Sequence, residues 1–169
     1  MQHLSIQGAM GQGSGKVNLR GWVYRERKSK DIVFIVVRDS TNIIQCVVKQ
    51  DSVDKGSWDV AEKILVECSV QLTGEIKEDK RAPTGYEVKV DKLELVGGSE
   101  VFPITKDQSV DFLAEVRHLW LRSRKMTAML KIRSTVFGAI HGYFRGKGFY
   151  EFQSPIFQAV QCEGGSTLF

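Results

Sequence analysis

Val17-Asn18-Leu19-Arg20-Gly21-Trp22-Val23-Tyr24-Arg25-Glu26-Arg27, followed by Asp31-Ile32-Val33-Phe34-Ile35-Val36-Val37-Arg38-Asp39, is the stretch that decides how this chain folds. In its first half Val17, Leu19 and Val23 fall at alternate positions, the period of a half-buried strand. Gly21 sits in the middle, and an isolated glycine in a strand marks a bend or bulge of the kind small barrels need at their corners. The second half is dense in β-branched residues and reads as another strand. Asp39-Ser40-Thr41-Asn42 is a polar turn cluster, and residues 43–49 form a third strand. Ser57 is placed to cap a short helix over 58–63, with Asp59 favourable near its N-terminus. Residues 64–77 read as a long strand alternating through Val66, Cys68, Val70 and Leu72. A Pro/Gly-containing loop, 79–85, leads to a fifth strand over 87–96.

Three strands, a short helix and two further strands is the order of the OB-fold. That five-stranded barrel binds oligonucleotides on the face of its second and third strands and on the adjoining loops. A five-stranded barrel of another kind would present the same count. Beyond Gly97-Gly98, Pro103 and a polar linker over 105–111, the period changes: Met126, Met129, Leu130, Phe137, Ile140 and Phe144 fall on one helical stripe, stopped by Gly146 and Gly148. Such a stripe is ordinarily packing surface. Residues 149–157 read as extended, with Pro155 interrupting them, and the last residues, through Phe169, have no evident element to pack against, as expected of a truncated domain.

The formal net charge of +4 is unevenly spread. Residues 16–30 carry Lys16, Arg20, Arg25, Arg27, Lys28 and Lys30 against Glu26 alone, and residues 117–147 are basic with no acid. Clusters of this kind suit a polyanion, because neutralised phosphates release counterions; a solvated basic face accounts for the same charges. Cys46, Cys68 and Cys162 lie far apart with no C-x-x-C pair, which argues against a disulfide framework or zinc site and for buried, reduced thiols. No apolar run approaches the ~20 residues of a membrane span. The Gly/Gln-rich residues 1–15 lack a signal-peptide apolar region and are expected to be flexible, so a cytoplasmic protein is the default.

The sequences Arg20-Gly21-Trp22-Val23-Tyr24-Arg25-Glu26-Arg27, Phe34-Ile35-Val36-Val37-Arg38-Asp39-Ser40-Thr41 and Ile44-Gln45 resemble the anticodon-binding domain shared by the aspartyl, asparaginyl and lysyl-tRNA synthetases. In that family first-strand arginines, a second-strand aromatic and a third-strand glutamine meet the anticodon. Carried over, these are Arg25 and Arg27, Phe34, and Gln45. The chemistry is sound independently: a splayed base stacks on an aromatic ring for about 1–3 kcal/mol, and a neighbouring amide reads its edge. Glutamine offers both donor and acceptor, as the edge of uracil requires. A core phenylalanine is the bland alternative for Phe34. The resemblance also places Glu87 near another anticodon base, where a plain exposed strand glutamate is an equal reading.

Arg117-His118-Leu119-Trp120-Leu121-Arg122 resembles the hinge leading into the catalytic domain of this subgroup. The helix over 125–145, with Gly148-Phe149-Tyr150-Glu151-Phe152-Gln153-Ser154-Pro155, matches the first class II signature motif, which builds the dimer interface. There Gly148, Phe149 and Pro155 are the interface positions. Glu163-Gly164-Gly165-Ser166-Thr167-Leu168-Phe169 resembles the amino-acid-binding loop, in which the glutamate meets the substrate ammonium; a surface turn would explain Glu163 as well.

The organisation so implied is a flexible 1–15, an OB-fold anticodon-binding domain over 16–104, a hinge over 105–124, and the truncated start of an α+β class II catalytic domain over 125–169. The resemblance implies an asparagine–tRNA ligase, a homodimer using ATP and Mg²⁺ with asparagine and tRNA as substrates. The second and third class II motifs, whose arginines hold ATP phosphates, are absent from these residues, so the chain alone is expected to be inactive and to bind no ATP. Aspartate–tRNA ligase, a free-standing tRNA-binding module and a dimerising structural protein remain the alternatives.

Overall fold

The computed structural model of the chain describes residues 2–105 and 108–156. The chain divides into two compact units, Met1–Thr105 and Lys106–Phe169. The first holds α1 (Ile6–Gln12), β1 (Gly15–Lys28), β2 (Ile32–Arg38), β3 (Ile43–Lys49), α2 (Lys55–Lys63), β4 (Ser69–Glu78) and β5 (Tyr86–Gly97). Its strands close into a barrel in the order β1-β2-β3-β5-β4. β1 is long because it serves two neighbours: residues 15–22 pair with β4 and residues 22–28 with β2, with a bulge between Val23 and Arg25. Closure is made by β3 and β5, which run parallel through Gln45–Glu87, Cys46–Val88 and Val47–Lys89.

Alternation fills the interior. Leu19, Val23, Ile35, Val37, Ile44, Cys46, Val48, Val70, Leu72, Val88 and Val90 are buried with their neighbours in one core. Two glycines let the strands approach closely at the bends. A Cβ on Gly21 would stand 2.4 Å from the Arg38 carbonyl oxygen, and one on Gly74 2.2 Å from that of Lys89. Neither gap admits a side chain. Cys46 and Cys68 are buried free thiols.

In the first unit three expectations change. Residues 6–12, expected to be flexible, form α1, whose Ile6 and Ala9 enter the core. Its anchors lie far away in sequence: the Asp39 carboxylate accepts from the Ile6 amide at 2.7 Å, the Thr41 hydroxyl from the Gln7 amide at 3.1 Å, and Asn42 Nδ2 donates to the Gln7 side chain at 3.0 Å. The cap of α2 is Asp54, which accepts from the Ser57 amide at 3.0 Å. Ser57 lies inside the helix with its hydroxyl donating to Asp54 and accepting from the Leu93 amide. The fourth strand starts at Ser69 because Glu67 takes φ 69°, a left-handed backbone that no strand accommodates. Arg38 holds Glu67 there through two contacts of 2.7 and 2.9 Å.

Asp39 organises its own turn too, accepting from the Thr41 and Asn42 amides and the Thr41 hydroxyl. Partial burial pushes its pKa up, but these donors and the Ile6 amide outweigh burial and hold it below the ordinary carboxylate value. A depressed folded pKa contributes stability above the unfolded value of ~4, which is lost as pH falls through the folded value. Asp39→Ala is expected to loosen α1 and lower stability by about 1 kcal/mol, the scale of a lost cap. Asp39→Asn should lose less stability than the parent on acidification below about pH 4, measured by denaturant titration.

The second unit holds α3 (Val110–Glu115), α4 (Arg117–Trp120) and α5 (Arg124–Gly146). Two short helices thus occupy the stretch expected to be a hinge. Ser109 and Ser123 cap α3 and α5 through the amides of Phe112 and Met126. Gly148 turns the chain at φ 83°, and the Phe149 ring packs edge-on against Phe144 at 5.6 Å. Glu151 closes the turn on Arg145 and His141. Residues 149–156 form no strand, and Pro155 is exposed. Of the helical stripe only Met126 is buried; Met129, Leu130, Phe137, Ile140 and Phe144 are open within this chain. Glu163 and Cys162 lie outside the described residues. Among the described residues no helix is long and apolar enough to cross a membrane.

Candidate nucleic-acid interface

Strand register lines up side chains from five strands into rows across the barrel. One row runs Arg25 on β1, Val36 on β2, Gln45 on β3, Glu87 on β5 and Lys77 on β4, each paired directly with the next. The adjacent row begins with Arg27 opposite Phe34. In β2 the even-numbered positions lie outward, so Phe34 and Val36 are half-buried on the outer face while Val33, Ile35 and Val37 fill the core. The core-phenylalanine alternative for Phe34 therefore does not hold.

Arg25, Arg27, Phe34, Gln45 and Glu87, the five residues selected from the sequence, line one groove of about 630 Å³. The Arg27 guanidinium lies over the Phe34 ring at 5.2 Å and that of Arg25 over Tyr24 at 5.4 Å. Stacking on aromatics pre-orders these cations while leaving their N–H groups available to phosphate. Glu87 is not the plain exposed strand residue considered above. Its side chain is 12% exposed, with Lys77 Nζ at 3.1 Å from one oxygen and Gln45 Nε2 at 3.3 Å from the other. Below it lies the Cys46 thiol, which burial and then the Glu87 charge push far above its ordinary range, so Cys46 is an inert core residue.

Sequence reading missed Arg81 and Asp79, which complete the groove from the β4–β5 loop. Asp79 accepts from the Arg81 amide at 2.9 Å and from its guanidinium at 2.9 and 3.1 Å. These bonds, the guanidinium first, hold the Asp79 carboxyl down at about 2. Arg81 is otherwise exposed, and its remaining donors are free to reach a ligand. The Asp-x-Arg spacing in a loop known to line OB-fold sites was the available signal.

A closed five-strand barrel whose second and third strands, with β1, β5 and the β4–β5 loop, line a groove of one aromatic ring, three arginines and the carboxylates Glu26, Asp79 and Glu87 has the make-up of an OB-fold nucleic-acid-binding module. Residues 17–96 match the family described as OB-fold nucleic acid binding domain, and residues 109–169 match tRNA synthetases class II (D, K and N). Over these two stretches the chain is similar to the class II tRNA synthetases of that group. Within it the similarity is to asparaginyl members. An asparagine–tRNA ligase of Thermoplasma acidophilum is 47% identical over 154 residues, covering 91% of this chain and 36% of the relative. The crystal structure of asparaginyl-tRNA synthetase from Pyrococcus horikoshii complexed with asparaginyl-adenylate superimposes with a TM-score of 0.85 at 35% identity, covering 100% of this chain and 40% of that one. An aspartyl-tRNA synthetase of Entamoeba histolytica, at 18% identity and a TM-score of 0.76 over 92% of this chain and 39% of that one, shares the fold. The chain thus spans little more than a third of the length of its asparaginyl relatives.

Proposed function

We propose that this chain recognises the anticodon of an asparagine tRNA, as the RNA-reading part of a cytoplasmic, homodimeric asparagine–tRNA ligase. The observation that carries the reading is the convergence of Phe34, Gln45, Arg25 and Arg27 in one groove on the OB-fold face. Phe34 stacks a splayed anticodon base, Gln45 pairs with its edge, and the arginines take the flanking phosphates. Glu87 stands beside them at the floor of the same groove. The 47% identity to an asparagine–tRNA ligase supports asparagine over aspartate as the amino acid.

The open stripe on α5, with Gly148, Phe149 and Pro155, serves as the contact between two copies, and Glu163 receives the asparagine ammonium. ATP and Mg²⁺ are the cofactors that the family implies for the longer protein. The division of labour assigns adenylate chemistry to the length of the relatives that this chain does not span.

One paired measurement tests the proposal. The chain is expected to bind an asparagine anticodon stem-loop with a log K against log salt slope of roughly −2 to −3, as for Arg25, Arg27 and Arg81 each neutralising one phosphate. By itself it should support no asparagine-dependent exchange of pyrophosphate into ATP. Equal affinity for a stem-loop with all anticodon bases changed would sink the recognition, and measurable exchange would sink the division of labour.

A further inference from the structure

We infer that Glu87 is a positioning residue that fixes which pyrimidine the groove accepts, by locking the orientation of the Gln45 amide. The inference rests on the reading of Gln45 as the group facing a splayed base.

A glutamine amide has two orientations, related by a half-turn that exchanges its carbonyl and its NH₂. One order presents an acceptor where uracil carries N3–H and a donor where uracil carries O4. The other order matches cytosine, whose N3 accepts and whose N4 donates. A glutamine free to turn therefore serves both bases, and by itself it specifies neither.

Gln45 is not free to turn. Its Nε2 lies 3.3 Å from Glu87 Oε2, and a carboxylate can only accept, so the NH₂ must face it. Glu87 is itself held: Lys77 Nζ stands 3.1 Å from its other oxygen, and its side chain is 12% exposed. Direct backbone pairing of Gln45 with Glu87, and of Glu87 with Lys77, fixes the spacing from below. One amide N–H is thus committed to Glu87, and Oε1 and the second N–H remain in a fixed order. A base held on Phe34 meets that one order. Uracil satisfies both positions; cytosine sets its N3 lone pair against Oε1 and its amino group against the amide N–H. Discrimination comes from the mismatched pairs as much as from the matched ones.

The experiment uses the 169-residue chain and two anticodon stem-loops that differ only in uracil or cytosine at the central position, taken as the base that Phe34 and Gln45 meet, titrated at one ionic strength. The parent is expected to prefer uracil by roughly tenfold or more. Glu87→Gln keeps the shape but can donate as well as accept, so it releases the lock. The preference should fall below about threefold, chiefly through tighter binding of the cytosine loop. A gain for the wrong base is the signature of a released amide; a lost contact elsewhere would weaken both loops alike. A parent ratio near one, or a Gln45→Ala ratio equal to the parent's, overturns the reading of Gln45 itself. Loss of preference in Gln45→Ala with full preference retained in Glu87→Gln overturns the lock alone.

Discussion

Replacing Gly74 with alanine is expected to lower the stability of the barrel by about 3 kcal/mol, the upper range of overpacking penalties. The added Cβ would sit 2.2 Å from the Lys89 carbonyl oxygen and 2.8 Å from a Val88 methyl. The first neighbour is backbone, so no rotamer change relieves it. Moving β5 outward would break the parallel pairing of Val88 with Cys46 and of Lys89 with Val47, on which closure depends. Moving β4 would pull at its pairing with β1, where Gly74 faces Val17. For a domain of this size, that loss corresponds to a fall in Tm of roughly 10–20 °C. Gly98→Ala is the control, since nothing lies within 4 Å of a Cβ there. A Gly74→Ala melting curve by circular dichroism within a few degrees of the parent would show that the bend has slack.

Phe34→Ala is expected to weaken stem-loop binding by roughly 10- to 100-fold at matched salt, from the ~1–3 kcal/mol of a base–aromatic stack. The ring lies on the outer face of β2, and its deletion opens no hole in the core. Stability should therefore change far less than affinity. Stacking is indifferent to base identity, so loops with central uracil and cytosine should lose in equal proportion. Phe34→Tyr keeps the stack and should restore most of the affinity. Anisotropy titrations giving the same Kd for parent and alanine variant would place the base elsewhere. The Arg27 guanidinium over the ring supplies an internal comparison: Arg27→Ala should reduce the salt slope by about one as well as the affinity.

Local pattern carried much of the architecture. Alternation over 17–23 and the β-branched run over 32–37 announce strands whose burial follows from their period. The order of strands and helix then leads to an OB-fold. Features decided by distant partners were hidden. Helix α1 has only two buried residues and is anchored by Asp39, 33 positions further on from Ile6, which no window around 1–15 contains. Ser57 carries the signature of a cap, but its hydroxyl meets the Leu93 amide 36 positions away. Residues 64–68 keep an apolar alternation while Glu67 is turned out of the strand by Arg38. The groove shows the same division. Residues on facing strands could be chosen in advance, because register follows from alternation. For Arg81 the Asp-x-Arg spacing marks the loop but not its place over the groove, which depends on how the β4–β5 loop folds back, with the Asp79 amide donating to the Gly85 carbonyl at 2.9 Å.

The parallel closure of β3 on β5 has a consequence for the order of events during synthesis. Gln45 and Glu87 are 42 positions apart, and they meet through a ladder of only three residue pairs. Contacts so distant are late ones, because the intervening loop must be ordered before they return any stabilisation. While the nascent chain ends short of β5, β1 to β3 can form a curled meander with Phe34 and Arg27 already in place. The amide of Gln45 then has no carboxylate beside it. On the proposed reading of the groove, affinity for single-stranded RNA would precede discrimination among bases as the chain emerges, and selectivity would arrive with the last strand.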